Sequence, residues 1–321
     1  MRQFLIDTDT ASDDAVAIIM ALSAADVQVL ALTTVAGNVS QPQATRNALF
    51  TAEIMGSAVP VHTGAAAPLR RTLSDAHWFH GSDGFGDQNY PAPLRRAEAE
   101  PAVDAICRLA KARPGLTLVT LGPLTNIALA LQRDPGFAQN IGRCVIMGGA
   151  PCCEGNVTPA AEYNIWVDPE AADLVFRSSL PIEMVGWHVS RGASVLSEAE
   201  IADILALDTA KARFAINCNR RAKAAYFEQT GEVGLSLADP TAMAIALDRN
   251  IGLSWSRHCV AVETQSELTC GMTVVDRLNV AANANNLQAW RQTVASGAKA
   301  DICWTFDSAA FKRLLRAALA R

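Results

Sequence analysis

Short apolar runs recur along the chain, each closing in a knot of polar residues and most followed by an amphipathic stretch. This alternation restricts the fold more than any other feature. "FLI" leads into an acidic cluster, and 14–24 reads as a helix. "VQVLALTTVA" (27–36) reads as a buried strand and "QPQATRNALFTAEIMG" (41–56) as a helix ending at Gly56. "LTLVTLG" (116–122), "RCVIMGG" (143–149) and "IEMVGW" (182–187) are further strands of the buried type. Helical patterns follow the first two, at "LTNIALALQ" and "DPEAADLVFRS". Strands apolar on both faces need cover on both sides, and alternation with helices supplies it. The expected fold class is α/β: an open, mostly parallel, Rossmann-like sheet flanked by helices. Helices are expected at 197–206, 209–229 and 240–249, strands at 258–262 and 272–282, and a last helix from about Asp307. Residues 64–95 carry few such signals, and an unstructured stretch of that length is usually functional or disordered. One domain over 1–321 is expected.

In open α/β sheets ligands bind beyond the carboxyl ends of the strands. The polar junctions after the strands should therefore face one crevice. The first junction is the most unusual. "LIDTDTASDDAVAIIMAL" (5–22) holds Asp7, Asp9, Asp13 and Asp14. Two carboxylates ~4 Å apart repel by roughly 4 kcal/mol at an effective dielectric near 20. If the strand continues, Asp7 and Asp9 point to one side. Asp13 and Asp14 would open a helix, with Ser12 as its N-cap, where acids favour the helix dipole. That leaves Asp7 and Asp9 unexplained, whereas a cation accounts for all four. The cluster offers oxygen donors without His or Cys, which suits calcium or magnesium rather than zinc. A haloacid-dehalogenase-like phosphatase also opens on a strand and D-x-D. Ala11 stands where that pattern expects Thr or Val.

D-T-D-x-x-x-D-D near the N-terminus resembles the inosine–uridine-type nucleoside hydrolase family. Four further segments agree, in the family's order: "TVAGNVS" (34–40), "LGPLTNIALAL" (121–131), "GNVTPAAEYNIWVDPEAA" (155–172) and "LADPTAMAIAL" (237–247). The resemblance spans roughly residues 4 to 250. It implies hydrolysis of the N-glycosidic bond of ribonucleosides to free base and ribose, with Asp9 activating a calcium-bound water. It implies calcium held by Asp9, Asp14, Asp239 and the backbone carbonyl of Leu121. Asp13 and Asn38 would bind the ribose 2′- and 3′-hydroxyls. Asn156, Glu162 and Asn164 would hold the 5′ side, with Met147 packing under the sugar. Asp7 would orient the loop.

Many members place His before the late metal-binding Asp, where it helps the base to leave; this chain has Ala238. Trp78 and His80 in "HWFHGSDG", Tyr226 and His188 are the candidate substitutes. Trp78 could stack on a base, and His80 is taken as the catalytic group. A ribohydrolase acting on another N-riboside remains open. So does a calcium-dependent nucleoside- or ribose-binding protein without turnover, although binding alone has no need of Asp9 as a base.

Net charge is −5 with basic residues scattered, so no nucleic-acid partner is expected. Apolar runs fall short of the ~20 residues of a membrane span. "MRQFLIDTDT" reaches acidic residues at once, and none of the eight cysteines forms a C-x-x-C pair. A cytoplasmic protein with reduced thiols and no signal peptide is expected. The expected partner is a small nucleoside, with a homodimer or homotetramer implied by the resemblance.

Overall fold

The computed structural model describes residues 1–286, 288 and 298–320. Its first half runs β1 (Arg2–Thr8), α1 (Ser12–Ser23), β2 (Val27–Thr34), α2 (Gln41–Ile54), β3 (Val61–Thr63), the single turn α3 (His77–His80), α4 (Ala102–Ala112), β4 (Leu116–Thr120), α5 (Thr125–Arg133) and β5 (Ile141–Met147). It continues through α6 (Tyr163–Val167), α7 (Pro169–Phe176), β6 (Ile182–Val185), α8 (Glu198–Leu205), α9 (Ala210–Asn217), α10 (Arg220–Thr230) and α11 (Ala238–Leu247). Last come β7 (Gly252–His258), β8 (Val260–Val262), β9 (Thr273–Val275), β10 (Ala300–Phe306) and a helix, α12 (Ser308–Ala320).

Eight strands form one sheet in the order β3-β2-β1-β4-β5-β6-β10-β7, and β8-β9 form a separate hairpin. Every pair in the large sheet is parallel except β10 with β7. The expected mostly parallel sheet is thus present. Side chains alternate between two cores, as the strand period requires. Phe4, Ile6, Val119, Leu121, Val145 and Met147 enter one core with α1 and α11. Leu5, Leu116, Leu118, Cys144 and Ile146 enter the other, with α5 and α7. With both faces covered, these strands could afford no polar alternation, hence the continuous apolar runs in the sequence.

Strand order reverses between β1 and β4, because β1 leads outward through β2 to β3 while β4 starts the opposite half. That switch point opens a crevice at the carboxyl ends of the two strands. The acidic cluster after β1 and the Leu121–Gly122 segment after β4 border it.

Several elements differ from expectation. The 209–229 helix is two helices, interrupted at Cys218–Asn219, where the Asn219 side-chain amide donates to the carbonyls of Ala215 (2.9 Å) and Ser12 (3.1 Å). The 258–262 strand is divided between the end of β7 and β8. Of 272–282 only Thr273–Val275 is a strand, and Val280–Ala282 is a 3-10 turn. Ser12 is not an N-cap: Ala11 holds that position, and the Asp14 carboxylate accepts from the Ala11 amide (2.9 Å). β1 ends at Thr8, so strand parity does not carry Asp9 to the side of Asp7. All eight cysteines are free. No helix among the described residues is long and apolar enough to cross a membrane.

Candidate active site

Asp7 lies in register with Thr33 and Thr120. Its carboxylate accepts from the Thr33 hydroxyl (2.6 Å) and the Asn126 amide (2.8 Å). Asn126 also donates to the carbonyl of Thr34 and accepts from the amide of Ala65. Asp7 therefore ties β1, β2 and α5 together behind the crevice. Burial pushes its pKa up to about 7.

Asp9 sits one step beyond the strand, fully buried. Its Oδ2 accepts from the backbone amide of Asn38 (2.6 Å). Its Oδ1 is buried without a hydrogen-bond partner. Two glycines make room for this carboxylate. A Cβ on Gly37 would lie 2.1 Å from Asp9 Oδ2, and one on Gly122 would lie 2.6 Å from Oδ1. This close approach explains both glycines at their strand ends.

Asp13, Asp14 and Asp239 each bring a carboxylate oxygen within 4.8 Å of the others. Asp14 is held by the Thr8 hydroxyl (2.6 Å) and the Ala11 amide. Asp239 arrives from the first turn of the buried helix α11. Burial and the neighbouring carboxylates raise the pKa of Asp9 and Asp239, and that of Asp14 to about 6. Burying charges of one sign this closely is unfavourable unless a cation compensates. The donors are all oxygens, and Asp9 Oδ1 lacks a partner, so the residues fit a hard divalent ion.

In front of this cluster lies a cleft of about 710 Å³, its mouth included. Asp13, Asn38, Leu121, Met147, Asn156, Glu162, Asn164 and Asp239 line it, and so do Trp78 and His80. Asp9 and Asp14 lie behind this wall. The Asn164 side chain donates to the carbonyl of Leu121 (2.8 Å) and touches Met147 Sδ (3.3 Å). Asn156 Oδ1 accepts from the Tyr163 amide (2.9 Å). Glu162 caps α6, accepting from the amides of Gly149 (2.7 Å) and Asn164 (2.9 Å), and burial raises its pKa to about 7. Glu162 also accepts, at 3.4 Å, from the Ile165 amide, so Glu162→Ala will leave three buried N–H groups unpaired, at about 1–3 kcal/mol for each of the two shorter bonds. The expected loss is read as a lower urea midpoint, and an unchanged midpoint would count against this bracing role.

Trp78 is half-exposed at the mouth. His80 is buried, with Nδ1 2.8 Å from the Ser12 hydroxyl and 4.0 Å from Asp13 Oδ1. Burial lowers its pKa, partly offset by Asp13. Tyr226 reaches the same cleft. Its hydroxyl donates to Glu232, which Arg191 also engages (3.3 Å). His188 lies outside the cleft lining; its Nε2 is 3.0 Å from the carbonyl of Cys303.

A family model described as inosine-uridine preferring nucleoside hydrolase matches residues 4–313. The chain belongs to that nucleoside hydrolase family. The match extends well beyond the motifs, to the final helix. The hydrolase is 42% identical over 300 residues to the non-specific ribonucleoside hydrolase RihC of Salmonella paratyphi C, covering 91% of this chain and 95% of that one. It is 36% identical over 312 residues to uridine nucleosidase 1 of Arabidopsis thaliana, covering 95% and 89%. Among solved structures, a plant nucleoside hydrolase superposes with a TM-score of 0.91 at 32% identity, covering 99% of each chain.

Some residues of the hydrolase's cleft were not singled out in the sequence. Trp187, Phe79 and Gln229 line it. Trp187 follows β6 as the other junction residues follow their strands, so the strand-end rule would have found it. Gln229 shares α10 with Tyr226 and carried no local signal.

Proposed function

We propose that this hydrolase cleaves ribonucleosides with Asp9 as the base that deprotonates the attacking water. The activity is hydrolysis of ribonucleosides to free base and ribose. The reading of Asp9 rests on one observation: its Oδ1 is buried, without a partner, beside the converging carboxylates. Water attacks C1′, its proton passes to Asp9, and the electron pair of the C1′–N bond leaves with the base. Positive charge on the sugar as that bond breaks is stabilised by the surrounding carboxylates.

Calcium is the proposed ion, held by Asp9, Asp14, Asp239 and the carbonyl of Leu121, with Asp13 near enough to join. When bound it would supply a Lewis acid that lowers the pKa of water and orders the ribose hydroxyls. Asp13 and Asn38 take the 2′- and 3′-hydroxyls. Asn156, Glu162 and Asn164 shape the 5′ side over Met147. Trp78 stacks on the base, and His80 assists its departure in place of the histidine missing at Ala238.

A reducing-sugar assay over a panel including inosine and uridine tests the activity. Release of ribose that needs calcium is the expected result; binding without release would overturn the reading. For His80, the expected result is a selective one. His80→Ala will slow inosine and uridine far more than 4-nitrophenyl riboside, whose leaving group departs without protonation. Equal slowing would assign His80 to the ribose or the fold.

One folding unit over 1–321 is proposed, since β1 and β10 share a sheet. A cytoplasmic homodimer or homotetramer is proposed from the family resemblance, checked by light scattering.

A further inference from the structure

Ser12 is the first residue of α1, one step past the N-cap position that Ala11 holds, so its hydroxyl does not cap the helix. The Ser12 carbonyl is held from behind by the Asn219 amide (3.1 Å) and the Cys218 thiol (3.5 Å). Its buried hydroxyl lies 2.8 Å from Nδ1 of His80, 68 residues away. The ring is also confined by Phe79, in a T-shaped contact at 4.9 Å.

A neutral imidazole has one donor and one acceptor nitrogen, and a serine hydroxyl suits either. Buried donors are left unpaired less readily than acceptors. Among the described residues the Ser12 hydroxyl meets His80. With the Ser12 hydroxyl as donor, Nδ1 accepts and the ring proton resides on Nε2, the nitrogen that Ser12 leaves unengaged in a ring that lines the cleft.

We propose that Ser12 is a positioning residue for the leaving base: its hydroxyl holds the His80 ring with Nε2–H directed into the cleft, as a hydrogen-bond donor to the departing base. No proton need leave His80. As the C1′–N electron pair moves onto the base, Nε2–H stabilises the developing charge, in the manner of a neutral imidazole electrophile. The inference rests on the assignment of leaving-group assistance to His80 and adds the residue that fixes its tautomer.

The test compares Ser12→Ala, Ser12→Thr, His80→Ala and the Ser12→Ala/His80→Ala double variant on uridine, inosine and 4-nitrophenyl riboside. Ser12→Ala is expected to lower kcat on the two nucleosides about tenfold, the worth of one hydrogen bond. KM should change little, the nitrophenyl substrate should be the less affected, and Ser12→Thr should restore the rate. In the His80→Ala background the Ser12 change should cost nothing further, because the two act as one unit. Nitrogen-15 spectra of the five histidines give a second readout. The His80 signals, identified by their loss in His80→Ala, should report Nε2–H in the parent and a mixed tautomer in Ser12→Ala. Equal slowing of all substrates, an undiminished Ser12 effect without His80, or an unchanged tautomer each overturns the proposal while leaving the role of His80 standing. If His80→Ala itself spares the nucleosides, both readings fall together.

Discussion

Asp14→Ala will abolish calcium binding and turnover together, and Asp9→Asn will stop turnover with a smaller effect on folding. The two outcomes separate because the carboxylates are anchored differently. Asp14 joins the Thr8 hydroxyl and the Ala11 amide to the cluster with Asp13 and Asp239. Its removal takes away both a proposed ligand and the brace of the first turn of α1. Asp9 gives one oxygen to the Asn38 amide and keeps the other unpartnered. An isosteric amide can occupy the space between Gly37 and Gly122 but is a far weaker base. General-base catalysis contributes about 10²–10⁴-fold, and a loss of that size is expected. Calorimetric titration with calcium, circular dichroism and steady-state assays distinguish the cases. Full activity after exhaustive chelation, with calcium absent by elemental analysis, would refute the cation's role. Asp9→Asn turning over at nearly the parent rate would remove Asp9 as the base.

The second large effect concerns the sugar. Ribonucleosides will be preferred over 2′-deoxyribonucleosides by about 10²–10⁴ in kcat/KM, since the polar groups proposed to hold the hydroxyl, on the buried Asn38 and the largely covered Asp13, lose partners at about 1–3 kcal/mol each. Asp13 and Asn38 both line the cleft. Asn38 is buried, with its backbone amide held by Asp9, so its side-chain amide has little solvent to turn to when the hydroxyl is missing. Inosine against 2′-deoxyinosine is the direct comparison, and comparable kcat/KM values would show that these residues do not read the 2′ position. Asn38→Ala should narrow the gap by weakening the riboside alone.

The sequence made the site more legible than the edges of the fold. β4 and β6 are buried throughout, and β1, β2 and β5 over their carboxyl-terminal residues, so all five could be read as apolar runs. β7, with "GLSWSRH", is half-exposed at the antiparallel edge of the sheet, and β3 has only three residues. Neither has the continuous apolar pattern that marks the centre. β10 pairs with β6 and β7 from far along the chain, so nothing local announces its partners. α4 did carry signals, Pro101 before it and Pro114-Gly115 after it, but it follows a long stretch with no regular pattern. Within the site, carboxylates were conspicuous by type and spacing. The Ser12–His80 contact and the crowding of Asp9 by Gly37 and Gly122 arise only when distant segments meet. Glu162 has a bracing part that its type did not announce, since both its oxygens accept from backbone amides.

The cleft is assembled from two kinds of material. The end proposed for sugar and cation is framed by segments at strand termini, from Asp9 and Asn38 to Leu121 and Met147, with Asp13, Asp14 and Asp239 added from the first turns of α1 and α11. The end proposed for the base is made of side chains from the 77–91 segment and α10, which Arg221 joins through Asp87 (3.1 Å). Such a division lets the two halves diverge at different rates over evolutionary time. On the proposed assignment, substitutions at Trp78, Tyr226 or Gln229 would redistribute acceptance among bases while leaving the ribose-cleaving half as it is. A lineage built this way can change its diet without reinventing its chemistry.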